Sequence, residues 1–374
     1  MPDLNTNSQA DKVTDPKLLK VITRVTREME LSIEKVAANH AKPTEFPLPD
    51  KPNSTEQILA ARFKAYPQEF KTRAGAKAMG RINAPAAARK EQLGDLASVN
   101  LKARVAIGDQ VRAMPMPEAL KLKGSDLKKI TKAHVGVAAA AGADVALAGA
   151  GVGAILPGVI GPTVPKKLTK LEMRIHRVKC VDETGSGPFG NIGNDEIDLG
   201  GSAVDETGDV HAIAKFRVGS NFDSGEAIDF TPPRSFTTFD LREGTAFPKS
   251  YFVTLVLAEI DNGGLSSFIT KLVQKVKEKV KDALIKVLGD LVGTSGGPVG
   301  ILIGIVAGEV VNRVFDFLGR LWGDDIFPPV MTSVSIASLT ARWPGGKTDS
   351  PEGVATFKGH GGHYRVAYDW RMLP

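Results

Sequence analysis

One cysteine, Cys180, serves a chain of 374 residues. An internal disulfide is therefore excluded, and with it the small secreted folds that depend on such bridges. Aromatic residues are also scarce, at 6%, so the core must be built mainly from Val, Ile, Leu and Ala. There is no Walker A lysine motif, no paired CxxC and no dinucleotide fingerprint, which removes the common nucleotide and redox-cofactor sites. Met1–Asp15 is polar and lacks the apolar run of a Sec-type signal. The expectation is a cytoplasmic protein or one exported by a non-Sec route.

What is present is globular in character, with 42% hydrophobic and 24% charged residues. The formal charge of +6 hides an asymmetry. Residues 1–168 hold 26 Lys and Arg against 16 Asp and Glu, a charge of +10, whereas the remainder hold 22 against 26, a charge of −4. A basic first half on an acidic second half suits an anionic membrane surface or a protein assembly as partner. Nucleic acid fits less well, because the basic half has few aromatics to stack on bases. Nothing in the sequence points to a small-molecule substrate.

Asp15-Pro16 reads as an N-cap followed by proline at the first helical position, and apolar residues then recur at helical spacing to Ile33. Residues 42–53 hold four prolines and read as an extended linker. Ser54 with Gln57 has the capping-box pattern. The Ala- and Lys-rich text from Lys71 to Lys132 predicts short, mobile helices broken at Pro85, Pro115 and Pro117. An apolar Ala/Gly segment follows, which reads as a buried helix or a low-complexity connector. From Thr169 short runs of alternating hydrophobicity, punctuated by Gly, Pro and Asp, predict an antiparallel sandwich. A change of phase near His176 predicts a bulge, and Tyr251–Ala258, apolar on both faces, predicts a central strand. Val181-Asp182-Glu183-Thr184-Gly185 recurs as Val204-Asp205-Glu206-Thr207-Gly208 and reads as reused turn chemistry.

Inside this β-region lies a helical block. Leu265–Leu288 carries one apolar stripe at steps of three, one and four residues, with lysines elsewhere expected to face water. Pro298–Trp322 is apolar, and Gly296, Gly300, Gly304 and Gly308 recur at every fourth position around it. Each glycine within a helix costs about 1 kcal/mol relative to alanine, so the ridge implies a close contact, either with the companion helix or inside a membrane. The uncharged run from Gly296 to Gly308 is only about 20 Å long, against about 30 Å of hydrocarbon, which favours a hairpin packed in water.

Carboxylates cluster at the predicted strand ends: Asp182, Glu183, Asp195, Glu196 and Asp223 on the loops, and Asp324 and Asp325 after the helical block. Loop carboxylates at one end of a sandwich are the donors calcium needs. The order strand, Asp-rich loop, Asp-Glu, strand over Lys170–Val204 resembles the start of a C2-type calcium- and membrane-binding domain, without that family's aromatic strand start. Gly293-Thr294-Ser295-Gly296-Gly297-Pro298 resembles the nucleophile motif of trypsin-like serine proteases, with echoes of that family at His134 and Asp144. Ten residues between His134 and Asp144 leave no room for the intervening barrel strands, so a hydrolase is the weakest reading. His360 with His363, and His176 with Cys180, fall short of the three or four ligands a zinc site requires.

The fold expected is α+β: a C-terminal antiparallel β-sandwich with an inserted two-helix hairpin, preceded by a basic helical N-terminal region. The divisions are 1–53 for the first helix and linker, 54–132 for the basic helices, 133–168 for the apolar segment, and 169–374 for the sandwich with its hairpin at about 263–325. The function expected is non-enzymatic binding or delivery, as an exported effector or assembly component with calcium on its acidic loops. A membrane-active toxin that inserts the glycine-ridged hairpin is the alternative.

Overall fold

The computed structural model describes residues 13, 15–126, 129–130, 166–183, 195–244, 247, 249–259, 265–289, 298–322, 327–359 and 362–374. Before the strands come α1 (Pro16–Ala41), α2 (Thr55–Phe63), α3 (Gln68–Ile82), α4 (Ala86–Leu93) and α5 (Ile107–Ala113). The caps that begin them are those the sequence supplies. Asp15 Oδ1 accepts from the Lys17 and Leu18 amides at 2.9 and 3.0 Å, satisfying two of the orphan donors at the start of α1. Ser54 Oγ accepts from the Gln57 amide at 3.2 Å, but Gln57 does not reciprocate, and donates through Nε2 to the Pro49 carbonyl at 2.7 Å. Half of the capping box forms, and its other half pins the proline-rich segment instead.

The strands are β1 (Lys170–Asp182), β2 (Asp195–Val204), β3 (Val210–Phe222), β4 (Ala227–Asp240), β5 (Lys249–Glu259), β6 (Val330–Ile336), β7 (Gly353–Gly359) and β8 (Gly362–Leu373). They form two antiparallel four-stranded sheets, β4-β1-β8-β7 (sheet A) and β3-β2-β5-β6 (sheet B). Their facing sides share one core of Leu, Val, Ile and aromatic side chains that includes Cys180. The bulge is where the phase change put it: the pairing of β1 shifts between Ile175 and Arg177 against both neighbours. β5 lies in the middle of sheet B, and its two apolar faces serve two cores. Tyr251, Val253, Leu255 and Leu257 point into the sandwich, whereas Phe252, Val256 and Ala258 point out of it.

The outward side of sheet B is covered by the hairpin, α6 (Leu265–Leu288) and α7 (Pro298–Trp322), inserted between β5 and β6. The hairpin is in turn covered by α1, α2 and α3. The layers thus run sheet A, sheet B, hairpin, N-terminal helices. One continuous apolar core spans the last three, from Val204 and Phe252 on the sheet through Val276 and Val310 to Met29 and Ile33 on α1. Each side chain fully buried there contributes about 1.5–3 kcal/mol.

The hairpin is an interior layer, not an appendage of the β-structure. The N-terminal helices are docked on it rather than reaching away. Leu122 N donates to Val287 O at 3.0 Å, Lys77 Nζ to Arg320 O at 3.0 Å, and Arg112 pairs with Asp282 at 3.0 Å. The physical reason lies in α1: its apolar stripe shares a core with the hairpin, and Arg24, Glu28, Glu34 and Lys35 are buried on its other sides, so the helix requires neighbours all round. Of the apolar segment 133–168, residues 133–165 lie outside the described residues.

Candidate functional site

The glycine ridge meets the sheet rather than the companion helix. A Cβ on Gly304 would sit against the Phe252 ring, 2.5 Å from its Cγ, and one on Gly308 would lie 2.7 Å from Met331 Sδ. Phe252 projects from β5 and Met331 from β6, so the missing side chains are replaced by two large ones from sheet B. The close contact inferred from the spacing exists, but its partner is an aromatic-bearing sheet. Gly300 lies in the first turn of α7, and Gly296 lies outside the described residues. Among the described residues no helix is long and apolar enough to cross a membrane.

A second contact between the hairpin and sheet B involves a buried cation. Lys277, on α6, is 1% exposed. Its Nζ donates to Ser202 Oγ at 2.7 Å and to the Ser202 carbonyl at 3.1 Å, both from β2. Burial alone pulls its pKa down to about 7, so the protonated and neutral amine coexist near neutral pH. The expectation that the α6 lysines face water fails at this position. The sequence held the signal: Lys277 stands four residues after Val273 and three before Val280, inside the apolar arc. The glycine pair before Ser202 lets β2 lie close to its sheet neighbours, since a Cβ on Gly200 would lie 3.0 Å from Lys215 Cβ on β3 and one on Gly201 would collide with the Thr254 carbonyl on β5.

Further buried ions hold element to element. Glu28 on α1 meets Lys279 on α6, and Glu34 on α1 meets Arg81 on α3. Arg24 reaches Asp95 at 2.9 Å. Lys35 donates to the carbonyls of Ala103 and, at 3.4 Å, Val105, and burial lowers its pKa. Glu206, 3% exposed, lies 3.6 Å from Lys249 Nζ, and burial raises its pKa. On the outward side of sheet A, Arg174 grips Asp369 through two nitrogens, with His176 Nε2 3.1 Å from Asp369 Oδ1. The repeated Val-Asp-Glu-Thr-Gly motif is a turn in its second copy: Asp205 Oδ1 accepts from the Thr207 and Asp209 amides, both at 2.9 Å.

The predicted acidic residues converge only in part. Asp182 and Glu183 end β1, Asp195 and Glu196 begin β2, and Asp223 follows β3, all at one end of the sandwich. Glu183 N donates to Ser224 Oγ at 3.1 Å, which ties the β1 end to the β3–β4 turn. Glu196, however, pairs with Arg217 at 3.1 Å. Among the described residues no group of three His, Cys, Asp or Glu is placed to hold a metal ion. Asp324 and Asp325 lie outside the described residues, as do Ser295, His134, Asp144 and His360. His176 and Cys180 are on opposite faces of β1, the thiol in the sandwich core and the imidazole outside it, so they cannot share a ligand.

A trough of about 680 Å³ opens on the N-terminal helices, floored by Phe46, Ile82 and Val99 and edged by Arg89 and Lys102. Lys102 and the nearby acid Asp95 are already paired, with Glu45 and Arg24 respectively. The arrangement is therefore rich in interlayer ion pairs. No family model, no curated protein and no solved structure matches the chain.

Proposed function

We propose that this is a non-enzymatic binding or delivery protein whose partner is an anionic membrane surface or a protein assembly. One observation carries the reading: ionisable side chains of α6 join the hairpin to the layer on each side of it. Glu28–Lys279 ties α1 to α6 and Lys277–Ser202 ties α6 to sheet B, while Glu34–Arg81 and Arg174–Asp369 fix neighbours within a layer. Groups fixed in this way serve a rigid body that presents surfaces, and rigid scaffolds with solvent-facing charge suit recognition. Co-sedimentation of the full chain with phosphatidylserine-containing and pure phosphatidylcholine vesicles tests the membrane arm. Binding to the first and not the second is expected. Equal pelleting with both, or with neither, counts against an anionic surface.

A second reading, membrane activity by the hairpin, draws support from Lys277. Acid protonates this amine in an enclosed site where, among the described residues, no carboxylate pairs with it, which favours separation of α6 from sheet B. Dye release from anionic vesicles that grows as pH falls through about 7, and is abolished in Lys277→Met, is the result this reading requires. Vesicles that stay sealed across that range would remove it.

A further inference from the structure

The helices cover sheet B. On the outward side of sheet A, Asp349 and Glu352 lie against Arg174, His176 and Arg371, whereas the end of that face bearing Lys179 and Arg365 is exposed. The pairing register fixes which side chains share that side. Lys179 on β1 stands directly opposite Arg365 on β8, and Arg365 stands opposite Thr356 on β7. One row further along, Asp182, His363 and Lys358 face one another. In the other direction come Arg177, Ala367 and Val354. The alternate residues Val178, Cys180, Tyr364, Val366, Ala355 and Phe357 are buried in the sandwich core, which confirms the outward direction of this grid.

Lys179, Arg365 and Lys358 are exposed, and among the described residues none makes an ion pair. Arg177 differs, being matched by Asp229 at 2.5 Å. Within the grid itself Asp182 is the one carboxylate, so the three cations are in excess there, although Glu183 follows it at the same end of the sandwich. Their mutual proximity is felt by His363, whose pKa is lowered by burial first and then by Lys358 and Arg365, with Asp182 opposing. Like charges set directly opposite in a sheet repel, so the Lys179–Arg365 pair opposes folding unless an anion lies over it. Val354, one of the few large hydrophobic side chains exposed in the described structure, at 36%, borders the same cations.

We propose that this grid on the outward side of sheet A, Lys179, Arg365 and Lys358 with Val354 beside them, is a docking surface for an anionic lipid bilayer. The inference rests on the binding reading above and names the face that does the binding. A lipid surface fits better than the other large polyanions on three grounds. The patch lies on one sheet face rather than in a cleft, it has no aromatic side chain among its members to stack on bases, and it includes an apolar residue able to enter the headgroup layer. It also moves the membrane contact away from the basic N-terminal half, where composition alone would put it.

The test uses the full chain and phosphatidylserine–phosphatidylcholine vesicles, and compares two triple variants of identical charge change. The first is Lys179→Glu, Lys358→Glu and Arg365→Glu. The second is Lys64→Glu, Arg73→Glu and Lys90→Glu, all on the N-terminal helices. Each cation at an anionic surface strengthens binding about fivefold, so loss of the three sheet cations should weaken it about a hundredfold or more. The helix variant should bind within a few-fold of the wild type, and wild-type binding should fall steeply with salt. Circular dichroism and melting temperature establish that both variants fold; a neutral set, Lys179→Gln, Lys358→Gln and Arg365→Gln, replaces the first should it not. Wild-type binding retained in the sheet variant but lost in the helix variant overturns this inference and leaves the broader reading standing. Absence of wild-type binding to anionic vesicles overturns both. Tighter binding to duplex DNA than to vesicles, lost in the sheet variant, would reassign the surface to nucleic acid.

Discussion

Replacing Lys277 by methionine isolates the energetic consequence of enclosing an amine between α6 and sheet B. In an unfolded chain this lysine titrates near 10.4, and in the folded protein near 7, a gap of about 3.5 units or about 5 kcal/mol. The folded pKa is the lower of the two. Between about pH 7 and 10.5 the unfolded chain binds one more proton, so stability rises with pH by about 1.4 kcal/mol per unit, and the full deficit is present below about pH 7. Methionine has similar length and removes the deficit, but it forfeits the bonds to Ser202 and leaves a buried hydroxyl without its partner, a loss of about 2–3 kcal/mol. The variant should therefore be more stable than wild type by about 2 kcal/mol near pH 6 and less stable by a similar amount above about pH 10. Urea denaturation of both proteins across that range reads the difference directly, since all other titrating groups are common to both. Two parallel stability curves would refute the reasoning, because they would mean that the amine keeps its ordinary pKa in the fold.

Gly304→Ala drives a methyl group into the Phe252 ring and should destabilise by about 1–3 kcal/mol, with Phe252→Leu restoring part of the loss in the double variant; thermal melts decide it. Asp369→Asn leaves the buried Arg174 guanidinium with only the more distant Asp349, 3.5 Å away, and about 1–3 kcal/mol should be lost, measured as a lower denaturation midpoint. A double-mutant cycle on Glu28→Gln and Lys279→Met should give a coupling of about 1–3 kcal/mol, whereas purely additive effects would show that α1 holds the hairpin by apolar contact alone.

Much of the architecture could be read from residue spacing because it depends on local physics. The limits of both hairpin helices, the Asp15 cap, the bulge after Ile175 and the central position of β5 all follow from periodicity or from the hydrogen-bonding habits of one or two side chains. What escaped depends on partners distant in sequence. A ridge of glycines announces that something approaches closely, yet Phe252 and Met331 can be identified as that something only once β5 and β6 are neighbours. Likewise Lys277 reads as one more lysine until Ser202 stands opposite it. The acidic residues show the reverse: composition grouped them, and the topology brings Asp182, Glu183, Asp195, Glu196 and Asp223 to one end without making any three into a ligand set among the described residues. The cationic grid was invisible to composition, because its members belong to the half of the chain that is acidic on average.

The strand Gly362–Leu373 runs through the middle of sheet A, between β1 and β7, and pairs with β1 almost along its whole length. A ribosome delivers β1 some two hundred residues before that partner, so β1 must wait with β4 on one side and bare amides and carbonyls on the other. A premature stop or a protease cut ahead of Gly362 would thus do more than shorten the protein: it would take out the sheet's keystone and leave β1 as an adhesive rail for any passing strand. Quality control, rather than loss of a binding surface, would be the first process in the cell to notice.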